Sequence, residues 1–268
     1  MELKKMKKKV LYISFTILVI IIITFIVLPK KSVFGKPHFV QYNASFSAPS
    51  GSSYTIDLAY FVVKGSKNIL DPQLIKQIKF KNSNTTNIES INYKKSDSSK
   101  KYDIRNLALK VNFINSGKEN LNNLVVTFND NTVREYSIGH WYFDVSNHNE
   151  ESNYIEMGEE FPLVTNDFNG YNFNFKNNSS KKIEIIDLGI NLFEAKLKNY
   201  SLSIDPYSKL NTLLEASSLN KDNKFYIIRP KITYKFDNKS YIYFPYATYY
   251  GFLSMNDKDI DNEVSKTN

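Results

Sequence analysis

The sequence predicts a mainly β protein, an N-terminal transmembrane helix followed by an exported region built as an antiparallel β-sandwich. Three observations carry this reading. Val10 to Leu28 is an uncharged apolar run of 19 residues. From Pro37 onward, apolar residues alternate with polar ones at period two, and turn-like stretches recur about every 8 to 12 residues.

Residues 1–9 form a basic stub in which Lys4, Lys5, Lys7, Lys8 and Lys9 face only Glu2. Residues 10–28 follow as VLYISFTILVIIIITFIVL. A helix of that length spans about 28 Å, close to the hydrocarbon thickness of a bilayer. A cleaved signal peptide opens in the same way, but its apolar region is usually shorter and ends at small residues two apart; here Pro29-Lys30-Lys31 follow. An uncleaved anchor is the favoured reading, and with no cysteine in the chain a lipoprotein anchor is excluded. Five lysines before the span against Lys30, Lys31 and Lys36 after it place the amino terminus in the cytoplasm and the rest outside. The expected partner of this segment is membrane lipid, and the expected location is the cell membrane, single-pass, with an extracytoplasmic C-terminal domain.

After a linker at 29–37 come the strands. Leu107, Leu109, Val111 and Phe113 alternate with polar or small residues, and Tyr171, Phe173 and Phe175 do the same. Further strand-like runs are Tyr54 to Val63, Leu124 to Phe128, Val133 to Ile138, Trp141 to Val145, Ile183 to Phe193, Phe225 to Phe236 and Tyr241 to Tyr250. Pro245 marks the last run as a sheet edge, where a partner strand could add. Phe-x-Asn recurs at Phe80, Phe113, Phe175 and Phe236 and is expected to mark hairpin turns. The match between Val111–Gly117 and Phe173–Ser179 raises a domain duplication, which Asn-rich turns also imitate. One short helix is expected at Asp205-Pro206 with Leu210, Leu213 and Leu214, and a weaker one at Asp71-Pro72. The polar stretch Ser146 to Asn153 divides the region into 38–145 and 154–254, two sandwiches, although one larger sandwich fits nearly as well. The acidic tail 255–268 has no aromatic residue and is expected to be disordered.

This pattern of short strands and turns resembles bacterial surface modules of immunoglobulin-like type, which implies a binding or scaffolding domain. The heavy use of Asn, Lys, Ile and Tyr accords with a bacterial origin.

The net charge of +8 invites a nucleic-acid reading. Half of the excess sits in the stub, and the remaining 30 basic and 26 acidic groups are mixed along the chain, so no nucleic-acid partner is expected. The absence of cysteine excludes disulfides, thiol catalysis and thiolate metal sites. There is no GxSxG elbow and no phosphate-binding glycine loop, so no catalytic residue and no cofactor are assigned. The metal candidates are His140, Asp144 and His148: on a strand His140, Tyr142 and Asp144 share a face, and a turn could return His148 beside them. The bland reading is a strand end and a solvated loop. Trp141 and Tyr142 are candidates for an aromatic surface that stacks on sugars or anchors a protein, against core packing as the simpler account. The expectation is therefore a membrane-anchored, non-enzymatic surface protein that binds or scaffolds a cell-envelope protein or polysaccharide. The alternatives are a metal-dependent extracellular hydrolase or sensor built on His140, Asp144 and His148, and an extracellular accessory subunit of a membrane complex.

Overall fold

The computed structural model describes residues 34–147, 154–158, 163–219 and 222–267. The basic stub, the apolar segment 10–28 and the linker up to residue 33 lie outside the described residues. Among the described residues, no helix is long and apolar enough to cross a membrane. The end of the linker is ordered, with Phe34–Gly35 pairing in parallel with Lys67–Asn68. The described residues are mainly β, with several sheets and one α-helix.

The first sandwich sets one sheet, in the order His38–Phe39, Ser53–Val63, Tyr102–Phe113, Thr86–Ser98, against a second in the order Tyr42–Pro49, Val133–Ser146, Gly117–Phe128, Ile75–Phe80. Lettered along the chain, these are the A-B-E-D and C-F-G strands of an immunoglobulin sandwich, the first strand being split between the two sheets. The alternation in sequence explains the core: Leu107, Leu109, Val111 and Phe113 are fully buried, with Ile56 and Leu58 on the partner strand. Aromatic rings close the middle, Phe46 stacking on Phe113 at 5.7 Å and Phe80 meeting Phe143 edge-on at 5.3 Å.

The second sandwich places Gly170–Asn177 beside Lys209–Ser218 in one sheet and Ile183–Asp187, Ile232–Phe236 and Lys239–Tyr243 in the other. Its last hairpin is longer than the sandwich it closes. At Pro230 and Pro245, residues with no N–H to give a ladder, both arms leave the second sandwich. Beyond these prolines Phe225–Arg229 pairs in parallel with Tyr42–Pro49, and Thr248–Tyr250 pairs with Phe225–Arg229. With Leu163–Val164 on its far side this makes one seven-stranded sheet. Phe225 and Ile227 face the first core while Tyr226 and Ile228 face the second, which is why the whole Phe225–Arg229 strand is buried. The boundary expected between 145 and 154 therefore separates two cores but not two sheets.

Arg229 holds the corner where the hairpin changes sheets. Its Nε donates to the Pro245 carbonyl and its NH1 to the Ser47 carbonyl, both at 2.8 Å. The guanidinium lies over the rings of Tyr54, Phe46 and Phe244, at 4.6 Å from the nearest centroid. Burial brings its pKa down to about 10, which leaves it charged at neutral pH.

Several expected elements differ. Asp205-Pro206 opens a turn, with Tyr207 at φ 53, and Lys209–Ser218 is a strand. Leu210 and Leu214 suit one face of a helix and one face of a strand equally, and the ladder with the aromatic Gly170–Asn177 strand decides between them. At Asp71 the short helix does form, as a single 3-10 turn over Pro72–Leu74 with Asp71 capping Gln73 N–H. The tail is a helix, Asp257–Lys266. Asn256 and Asp259 form a reciprocal capping box, and Ile260 and Val264, one turn apart, bury against the first core. Only Phe236-Asp237-Asn238 joins hairpin partners, both turn residues being left-handed. The other three Phe-x-Asn sites carry the chain from one sheet of a sandwich to the other. The two halves of the duplication match fall at the sheet-to-sheet crossings that follow Tyr102–Phe113 in the first sandwich and Gly170–Asn177 in the second.

The helix closes the gap left where the first strand changes sheets. Gln41 N–H, which has no ladder partner there, donates to Glu263 Oε2 at 2.7 Å, and Lys266 Nζ meets the other oxygen at 2.5 Å. At the helix end, His38 Nδ1 lies 2.8 Å from Thr267 Oγ1.

Two predictions follow from this packing. Gly139 has φ +86, and a Cβ on it would lie 2.1 Å from the Tyr42 carbonyl oxygen. Gly139→Ala should lower unfolding free energy by about 3 kcal/mol or more in urea denaturation, and a loss below about 1 kcal/mol would contradict this close approach. Burial, aided by the nearby Lys36 charge, lowers the His38 pKa below 6.5. The fold therefore prefers the neutral ring: stability holds above pH 6.5 and declines as pH falls through that value, where the unfolded chain takes up a proton that the folded chain refuses. Between about pH 7.5 and about pH 5.5, the urea midpoint should fall less in His38→Gln than in the wild type.

Candidate functional site

The residues singled out in the sequence converge on the joint between the sandwiches. Tyr42, Ala44, Phe46 and Ala48 point into the first core, so Asn43, Ser45 and Ser47 point to the opposite face of the seven-stranded sheet. That face is not open to solvent. A loop of the second sandwich meets it through Asn191 and Phe193, and all three polar side chains are 0% exposed. Asn43 acts toward this loop as a strand edge would: its Nδ2 donates to the Phe193 carbonyl at 2.6 Å, and its Oδ1 accepts from Phe193 N–H at 2.9 Å. Ser45 Oγ accepts from Asn191 N–H at 2.9 Å. Glu194, at φ 51, turns the chain away again.

His140, Tyr142 and Asp144 share this outer face, as their spacing requires. His140 stacks on Phe193, the rings 3.9 Å apart and 16° from parallel. Asp144 is 5% exposed and accepts from Lys231 Nζ at 2.8 Å, with Lys118 Nζ at 3.9 Å. Lys231 follows Pro230, so this ion pair ties the first sandwich to the hairpin where it changes sheets. Both residues meet the second sandwich here: His140 gives it a flat ring, and Asp144 a charge. Along the strand they stand about 13 Å apart, too far to share an ion. His148 lies outside the described residues, as do Glu150, Glu151, Glu159 and Glu160. Among the described residues no group of three or more His, Asp and Glu is placed to hold a metal.

Trp141 is not a surface residue. It is 1% exposed, its Nε1 donates to the Ile138 carbonyl at 2.9 Å, and Tyr42 packs on it edge-on at 5.6 Å. Its strand neighbours Phe143 and Val145 face the same core, and period-two geometry takes Trp141 in with them. Tyr142 points the other way and is half-buried, opposite Asn120 on the neighbouring strand.

Two recesses have His140 in their lining. The larger, of about 950 Å³, lies between the C-terminal helix and the 222–226 segment, with Gln41, Gly139 and His140 among its lining. Lysines already engage its acidic groups: Lys224 Nζ is 2.6 Å from Asp259 and Lys266 Nζ 2.5 Å from Glu263. The smaller, of about 500 Å³, lies over the outer face between Tyr142 and Phe193.

No known family profile matches the chain, and no curated protein does. Solved structures overlap it loosely. A protein of unknown function from Porphyromonas gingivalis W83 is 9% identical over 81% of this chain and 100% of its own, at a TM-score of 0.25. The titin domains z1z2 in complex with telethonin give 9%, 81%, 96% and 0.23. The fibronectin(III)-like modules of Clostridium thermocellum CbhA give 9%, 81%, 93% and 0.21. These overlaps assign neither an activity nor a partner.

Phe193, Asn43 and Lys231 escaped the sequence reading. The signal for Asn43 was present as polar alternation in Tyr42–Pro49, but nothing local tells that a second sandwich covers the polar side. Lys231→Ala should cost about 2 kcal/mol, because it leaves a buried carboxylate with only the more distant Lys118, and adding Asp144→Asn should recover part of the loss. A change in urea-derived stability below about 0.5 kcal/mol for Lys231→Ala would show that the pair does not bind the joint.

Proposed function

We propose that this chain is a single-pass, membrane-anchored bacterial surface protein whose extracytoplasmic sandwiches bind or scaffold a cell-envelope partner without catalysing a reaction. The observation that carries this is the fused joint. Two sandwiches that share one sheet, a docked loop and a buried ion pair make a stiff body, and a stiff body behind a membrane anchor presents a binding face at fixed height and orientation. The anchor itself comes from the sequence: Val10 to Leu28 is long and apolar enough to span, and the lysine asymmetry orients it. A metal-dependent hydrolase or sensor has less support, since Asp144 is already paired and His140 is stacked on Phe193. The accessory-subunit reading is the form this proposal takes when the partner is itself a membrane protein.

The cysteine-free chain makes the topology directly measurable. Val133 is 62% exposed on the first sandwich, so a full-length Val133→Cys variant carries a single reactive thiol. A membrane-impermeant maleimide should label it in intact cells, and the labelled protein should sediment with membranes after an alkaline wash. Labelling that appears only once cells are permeabilised would overturn the proposal.

A further inference from the structure

The smaller recess holds groups that the joint does not use. Its floor is formed by two adjacent strands, Tyr142 on one with Asn120 directly opposite and Asn122 two residues on along the other. Its wall is the docked loop, which brings Asn191 and Phe193. Phe193 remains 44% exposed although one face of its ring rests on His140. Asn120, Asn122 and Asn191 are all exposed.

We propose that this groove binds a neutral saccharide chain of the cell envelope, one sugar ring lying against Phe193 and its hydroxyl or amide substituents bonding the asparagines. The chemistry of the lining narrows the ligand. No lysine or arginine is among the lining residues and Glu194 is their one carboxylate, so a phosphate or carboxylate polymer finds no cationic partner of that kind there. A single carboxylate is far short of the oxygen set a divalent cation requires. Three amides make the surface too polar for an acyl chain. Each amide both donates and accepts, which suits hydroxyl groups that do the same. The flat C–H face of a sugar needs an apolar ring, and Phe193, held by the imidazole and by both backbone bonds to Asn43, offers one whose ordering cost is already met in the fold. A recess of about 500 Å³ is ample for one or two sugar rings and lies in the usual range for small-molecule sites.

This inference rests on the surface placement proposed above, but the two fail separately, because labelling in cells reports placement and titration of purified protein reports the groove. The test uses full-length protein in an amine-oxide detergent that carries no sugar, titrated calorimetrically with chitohexaose, with cellohexaose, and with poly(glycerol phosphate) as the anionic comparator. At least one neutral probe should bind. Phe193→Ala should weaken it about ten-fold or more, as expected for losing an aromatic contact, and Asn122→Ala several-fold. Asn122 is exposed, so its replacement leaves the joint and the unfolding midpoint unchanged; the Asn122 result therefore stands even if Phe193→Ala loosens the docked loop. Absence of binding by both neutral probes at about 5 mM, binding of the anionic polymer alone, or an affinity unchanged by Asn122→Ala and Phe193→Ala would each overturn the proposal.

Discussion

The structure depends on one parallel pairing, Phe225–Arg229 alongside Tyr42–Pro49. Parallel ladders are usually covered on both faces, and this one is covered by two different cores. The pairing imposes the rest of the design. It requires the last hairpin to leave its own sandwich, and Pro230 and Pro245 stand where the ladder must break. It requires a residue to satisfy the carbonyls freed at that break, and Arg229 does so with one fork across Pro245 and Ser47. It also brings the polar side of the first strand under the second sandwich, where only residues with hydrogen-bond partners can be buried cheaply.

That polar side explains why apparent site residues are also structural. A buried Asn bonded twice to backbone and a Ser bonded once fix the docked loop in one register, as a hydrophobic contact could not. The Asp144–Lys231 pair adds a charge match that only this alignment satisfies. Ser47 shows the limit of the arrangement: among the described residues its Oγ has no partner, while its carbonyl accepts from Arg229. The same docking leaves an aromatic ring and three amides facing a groove, so the joint and the proposed binding surface are two sides of one loop.

Several of the longer strands were legible because their large apolar residues alternate with polar or small ones, as in Tyr102–Phe113 and Gly170–Asn177. Tyr42–Pro49, the strand on which the joint is built, was not, because three of its eight residues are Asn43, Ser45 and Ser47 and two of its four core-facing residues are only Ala, at 44 and 48. Its polarity records a contact with residues about 150 positions away, which no local pattern contains. The tail failed for the opposite reason. Its acidic composition reads as disorder, whereas two apolar residues one turn apart and a capping box are enough once a core is there to receive them. At the site, the shared face of His140, Tyr142 and Asp144 was correctly placed by strand periodicity. What covers that face was set by tertiary structure, and a metal-like pattern turned out to meet Phe193 and Lys231. Trp141 followed the same periodicity inward.

The central claim is that the shared sheet makes the two sandwiches one cooperative body. Trp141 is the single tryptophan and lies in the first core, so its fluorescence reports the first sandwich alone. A dye on Leu213→Cys, at a partly exposed position of the second sandwich, reports the other. Followed together through urea denaturation, the two signals should give one transition with coincident midpoints and equal slopes. Two transitions, with the second sandwich lost while Trp141 remains in its native environment, would contradict the account.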